Sequence, residues 1–374
     1  MSGLYFHIPF CRKACTYCDF HFSTNLGNKK KLVDAVCDEI AARKEYLQDK
    51  NLRSVYFGGG TPSVLNFAEL EKIFLAIHKN FTVVPNAEIT LEMNPEDAAI
   101  DYLQGIKQAG INRLSIGLQS FNDDELKWMN RSHTAEQNIT AVKNAQQTGI
   151  KNISIDLIYG SRFQTEKTWR DALQKTFELD VQHISAYNLT IEGKTKLNHL
   201  LQQKTEPEVD TELSAKLFDI LMEETAKNSF EQYEISNFCR PGFMAVHNSN
   251  YWRGSPYLGI GPSAHSYNGT CRSFNVKSNA QYIQCVEEGK AHCEEEILSE
   301  IDKYNEYILT RLRTSWGCDL KEMKELFGEK YVSYFIERSG KHKQHISANK
   351  NSVTLTQQGR HFADAIASDL FYIA

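Results

Sequence analysis

From residue 29 to about 240, short β-rich runs alternate with amphipathic helical stretches, and this alternation limits the fold more than any other feature of the chain. Leu32, Val36, Ile40 and Leu47 recur at helical spacing on one face. The runs Ser54 to Phe57, Glu88 to Leu91, Arg113 to Gly117, Ile153 to Ile158 and His183 to Leu189 read as strands, with helical stretches between them. With the apolar run Leu4 to Ile8 in front, six βα units are countable. Repeats of this length imply an α/β fold with a parallel sheet, because each strand must return by a crossover. Six is fewer than the eight of a closed barrel, so periodicity leaves a partial barrel and an open doubly wound sheet as alternatives. Both gather ligands at the C-terminal ends of the strands.

At 374 residues the chain exceeds one ordinary domain, and a large catalytic-type domain with a smaller one is expected. The net charge of −5 offers no global basic field for nucleic acid or anionic lipid. The apolar runs are strand-length, so neither a membrane span nor a signal peptide is expected. Outside one N-terminal group, Cys37, Cys239, Cys271, Cys285, Cys293 and Cys318 are scattered without paired spacing. Reduced thiols in the cytoplasm are the expected state.

Cys11, Cys15 and Cys18 form that group, a C-x3-C-x2-C array just after the first strand. Three thiolates on one short loop can converge on a single inorganic core. Three cysteines suit a [4Fe–4S] cluster with one iron free of protein, open to a small chelating ligand. A Cys3His zinc site using His7 or His21 is the alternative, although structural zinc sites usually take their ligands as two separated pairs.

Polar or glycine residues stand where each strand should end. Gly58 to Pro62, GGGTP, follows the second strand; Glu92 ends the third, Gln119 the fourth and Asp156 the fifth. A triple glycine alone is an ordinary βα turn, and a lone acid at a strand end is often a helix cap. Three such polar tips on successive strands are harder to explain as caps.

The cysteine array, with Tyr17 before its last member, resembles the signature of the radical S-adenosylmethionine (SAM) family. The resemblance implies a partial (βα)6 TIM-like barrel over residues 1–240, in which the open iron of the cluster is chelated by the amino and carboxylate groups of SAM. Residue by residue it implies SAM contacts at Gly59, Gly60, Thr61, Glu92, Gln119, Arg131 of MNRSH, and Asp156, with Tyr5, Tyr17 and Ala186 completing the set. Carboxylates and amides suit ribose hydroxyls and the sulfonium, and a guanidinium suits the methionyl carboxylate. One departure lies after the fifth strand, where Ser161-Arg162-Phe163 replaces the family's usual Leu-Pro pair.

Beyond residue 240 the alternation stops. FCRPGFMAVHNSNYWRGSPYLGIGPSAHS reads as an extended connection into a second domain, 241–374, whose helices, short strand Ser352 to Thr356 and final helix suggest a winged-helix-like module. Its basic patch, Lys341-His342-Lys343, reads as solvated surface in a wing loop rather than a nucleic-acid site. His247 to Trp252, HNSNYW, resembles the HNxxYW motif of heme chaperones in the coproporphyrinogen III oxidase-like branch of the family. His247 is a candidate heme ligand there; a packed, hydrogen-bonded histidine is the competing reading.

Two functions compete within that branch. Oxygen-independent coproporphyrinogen III dehydrogenase uses SAM-derived radicals for oxidative decarboxylation, and has a fourth cysteine two residues after the third and an extended N-terminal segment. Here position 20 is Phe, and ten residues precede Cys11. Together with HNSNYW this favours a chaperone that binds cluster, SAM and heme and passes heme to acceptors such as respiratory enzymes, with transient membrane-protein contact. A non-catalytic zinc or scaffold protein is a third reading.

Overall fold

The computed structural model describes residues 2–373. Six strands, β1 (Ser2–Ile8), β2 (Asn51–Gly59), β3 (Thr82–Met93), β4 (Arg113–Gln119), β5 (Asn152–Tyr159) and β6 (His183–Asn188), pair in parallel and in sequence order. All six overlap the runs read from the sequence, β2 and β3 extending well beyond theirs. Residues 113–118 of β4 are all buried, as expected for a parallel strand covered on both faces. Capping boxes at Asn66/Glu69, Thr134/Gln137 and Thr165/Thr168 start three of the connecting helices. Each fixes where a helix leaves its βα loop, a cap being worth about 1 kcal/mol. Trp169 on the third of these helices is 1% exposed, and its indole N–H donates to the Leu217 carbonyl at 3.0 Å.

The barrel does not close on itself. On one side β6 continues antiparallel into β8 (Asn237–Cys239) and β7 (Glu231–Glu234); on the other, β1 pairs in parallel with β9 (Tyr257–Ile260). From β9 the sheet runs on through β10 (His265–Tyr267), β11 (Cys271–Asn275) and β12 (Cys293–Ile297) to twelve strands. The segment read as an extended connection therefore holds a helix, Val246–Trp252, the strand β9 and the start of β10, and the two strands that follow it also join the main sheet. These strands are three to five residues long, too short for a period-2 pattern to register. Gly261, at φ +100°, turns the chain directly after β9.

The main hydrophobic core ends in sequence at Ile283, and a second core begins at Tyr304. The second core holds the helices Glu300–Leu312, Leu320–Phe327, Glu329–Ser339 and Ala363–Asp369 around a three-stranded sheet of β13 (Cys318–Asp319), β15 (Ser352–Leu355) and β14 (Ile346–Ala348). On this packing we propose to divide the chain near Leu298 rather than at 240. Lys341 and His342 lie in a short 3-10 turn before β14, not in the β14–β15 wing.

Candidate functional site

At the C-terminal ends of the parallel strands lies a cavity of about 470 Å3. Cys11, Cys15, Tyr17, Cys18, Gly59, Gly60, Thr61, Glu92, Gln119, Arg131 and Asp156 all line it. The cysteine loop is held from two sides. The Gly60 and Thr61 amides donate to the carbonyls of Ile8 (2.9 Å) and Phe10 (2.7 Å), and the Thr61 hydroxyl donates to Cys11 Sγ at 3.4 Å. Only glycine fits at position 60, because a Cβ there would lie 2.7 Å from the Phe10 carbonyl oxygen. Opposite, the Thr16 amide donates to the Met129 carbonyl (3.1 Å), and the Asn130 side chain to the Ala14 carbonyl (2.7 Å). Arg131 reaches inward from the same segment, donating through Nη2 to Asn94 Oδ1 (2.7 Å) and the Gly117 carbonyl (2.9 Å), and through Nη1 to Cys15 Sγ (3.5 Å).

All three cysteines are free thiols. Burial raises the Cys11 thiol and pushes Cys18 up to about 11, so a metal core assembling here must displace protons. The histidines of the zinc alternative are engaged elsewhere. His7 uses Nε2 on the His21 carbonyl (2.8 Å) and Nδ1 on Tyr5 (3.2 Å), while His21 Nε2 bonds Asn279 Oδ1 (2.7 Å). Thr61, Arg131 and the three thiols fit an iron–sulfur core with polar groups directed at its sulfur ligands.

Deeper in the cavity, burial raises Glu92 to about 7 and Asp156 to about 6. Tyr56 donates to Glu92 Oε1 at 2.6 Å, and Ser115 to Asp156 Oδ1 at 3.2 Å. Gln119 sits at φ +67°, a left-handed conformation costly for a non-glycine residue, at a register shift in β4 that turns it into the cavity.

Two expected SAM contacts, Ala186 and Tyr5, are not brought to the cavity, and His247 is not open as a heme ligand. Ala186 is 1% exposed within β6, its amide donating to the Ser236 carbonyl at 2.8 Å. Tyr5 points into the barrel, its ring stacked on Tyr56 at 6.1 Å. His247 is buried beneath them, with Nδ1 on Ser54 Oγ (2.9 Å) and Nε2 on Tyr251 Oη (3.1 Å), so neither ring nitrogen is open to a heme iron. Asn94, Ser115 and Tyr187, which the sequence reading passed over, do line the cavity. Ser115 carried a signal, since it shares the inward period of Gly117 and Gln119 on β4. The atypical Ser161-Arg162-Phe163 loop stays clear of the cavity: Ser161 and Gln164 donate to the buried Glu125 carboxylate, and Arg162 pairs with Glu206 at 3.1 Å.

The radical SAM superfamily model matches residues 5–176. The heme chaperone HemW of Bacillus subtilis is 31% identical over 367 residues, 96% of this chain and 96% of that protein. The heme chaperone HemW of a Synechocystis species is 38% identical over 293 residues, 76% of this chain and 71% of its own. The solved structure of Escherichia coli HemN, a coproporphyrinogen III oxidase, matches with a TM-score of 0.85 over 99% of this chain and 90% of that one. At 23% identity that likeness is one of fold. Barrel, cysteine loop and family match together define a radical SAM protein, a class that implies a [4Fe–4S] cluster and SAM. Within the superfamily the chain belongs to the HemW family. Among the described residues no helix is long and apolar enough to cross a membrane.

Proposed function

We propose that this protein is a radical SAM heme chaperone, holding a [4Fe–4S] cluster on Cys11, Cys15 and Cys18 and passing heme to acceptor proteins. The observation that carries the reading is the match to named heme chaperones over nearly the whole of both chains. SAM occupies the cavity, with Asp156, Gln119 and Arg131 as its polar contacts and Gly59, Gly60 and Thr61 as the backbone cradle; Glu92 faces it from β3. A reduced cluster held by Cys11, Cys15 and Cys18 would supply one electron to the sulfonium of SAM bound beside it. The protein's own part is to hold SAM in a site shielded by β-strand ends and the cysteine loop.

Heme lies across the cavity mouth. Phe20, which stands in place of the dehydrogenase's fourth cysteine, is 67% exposed on the rim, and Tyr187 is 45% exposed beside Asn188. Two aromatic faces suit a flat macrocycle, and the exposed Lys13 on the same rim suits a propionate. The test is anaerobic incubation of the reconstituted protein with heme and, separately, with coproporphyrinogen III, SAM and reductant. A stable heme complex without decarboxylation is expected, and Phe20→Ala with Tyr187→Ala should lower heme affinity by roughly tenfold. Conversion to protoporphyrinogen IX with no heme complex would restore the dehydrogenase.

A further inference from the structure

We propose that HNSNYW is the floor of the barrel and positions the SAM-facing Glu92 through Tyr56, with His247 as a positioning residue and not a heme ligand. This rests on the reading that SAM occupies the cavity. The helix Val246–Trp252 enters from the end opposite the cysteines. Its first two amides, of Val246 and His247, donate to the two oxygens of Glu88, each at 2.9 Å, and Arg113 lies 3.8 Å from the same carboxylate. Glu88 and Arg113 stand on β3 and β4 well before the strand tips, so the helix is tied to the lower barrel.

From this anchor the contacts run upward. The His247 ring stacks on Tyr56 with centroids 5.0 Å apart and planes at 24°, and meets Tyr5 at 6.3 Å with the same inclination. Tyr251 closes its edge at 5.0 Å. Tyr56 is thereby packed against both Tyr5 and His247 in a three-ring cluster, and its hydroxyl donates to Glu92 at 2.6 Å. The packing above Tyr56 has no slack: a Cβ at Gly58 would lie 2.9 Å from the Tyr56 ring and 3.0 Å from Glu92 Oε1. Glu92 is held by the Gly59 backbone as well, and the Tyr56 bond adds a second point of attachment whose direction depends on the ring that carries the donor. Removing the imidazole leaves a void beside Tyr56 and frees the Ser54 and Tyr251 hydroxyls, so the tyrosine can relax away from Glu92.

At its far end the helix meets the C-terminal domain, where the Arg313 guanidinium lies 5.5 Å over the Trp252 ring. The motif spans from the second domain to the carboxylate under SAM. Its aromatic and histidine letters serve packing and hydrogen bonding along that line.

The test uses full-length protein with a reconstituted cluster, measuring SAM affinity by equilibrium dialysis, heme affinity by titration, and the SAM-induced change in the spectrum of the reduced cluster. Tyr56→Phe, which keeps the ring and removes the donor, is expected to weaken SAM binding by about tenfold and diminish the spectral change. His247→Ala should do the same. His247→Phe, which keeps the face against Tyr56 but cannot ligate iron, should stay within about threefold of wild type, since only the stack is restored. Heme affinity is expected to be unchanged in all three. Loss of heme binding in His247→Phe with SAM affinity intact overturns the proposal and makes His247 a ligand. Unchanged SAM binding in both Tyr56→Phe and His247→Ala also overturns it. A wild-type protein that retains cluster but no SAM sinks the underlying reading, and is told apart from both because it fails before any substitution is made.

Discussion

The two ends of the barrel carry the two most distinctive strings in the chain, and they use similar donor atoms in opposite ways. At the top, the thiols of Cys11, Cys15 and Cys18 face a cavity, with Thr61 and Arg131 directed at two of them. At the floor, His247 is 3% exposed and both its ring nitrogens are occupied by Ser54 and Tyr251. Burial holds that imidazole neutral, its pKa lowered to about 3. A residue type that can ligate a metal does so only where its lone pair is left free, and that is a property of packing rather than of sequence.

The largest effect should come from the top. Each of Cys11→Ala, Cys15→Ala and Cys18→Ala is expected to abolish the cluster's visible absorption while leaving the helical circular dichroism intact, because a core with one open iron loses a protein ligand. A full complement of iron and sulfide in any one of them would break the contrast between the two ends.

Next in size are Asp156→Ala and Gln119→Ala, which should weaken SAM binding by up to roughly a hundredfold with the cluster retained. Unchanged dialysis affinity in both would remove SAM from the strand ends.

A smaller effect joins the two ends through Glu92. Its folded pKa is raised from 4.5 to about 7. As pH rises across this interval, the unfolded chain has already lost the proton that the folded chain keeps, so ionisation costs folding and stability falls. Thermal unfolding of the apo protein should therefore occur at lower temperature at pH 7 than at pH 5. Glu92→Gln should lack that share of the decline, on the order of 2–4 °C. A pH dependence identical to wild type would show that Glu92 is not buried as the floor requires.

The smallest effect tests the scaffold. Thr165→Ala removes the cap of the helix Glu166–Glu178 and should cost about 1 kcal/mol in denaturant unfolding. SAM affinity should not change, since Thr165 lies outside the cavity.

The strands and the strand-tip residues were legible because they obey local rules. A buried parallel strand needs a run of apolar residues, a βα turn near a ligand needs glycine, and a metal loop needs its thiols at close spacing; each is written in consecutive letters. Hence β1 to β6, the cysteine loop, and Glu92, Gln119 and Asp156 could be placed before any coordinates, whereas Arg131 was implied only by the family resemblance. The strands β9 to β12 could not, being short and set in polar, glycine-rich sequence whose place in the sheet depends on β1 as a partner. Nor could the direction of a side chain. Ala186 and Asn188 share a face of β6, yet Asn188 lines the cavity while the Ala186 amide is spent on Ser236. His247 stood as either a ligand or a packed histidine until Ser54 and Tyr56 of β2, Glu88 of β3 and Tyr251 of its own helix closed around it. Sequence alone determined which thiols, carboxylates and amides this protein carries and on which loops and strand ends they sit. Tertiary structure decided which of them remain available, because satisfying a buried polar atom takes partners from distant parts of the chain.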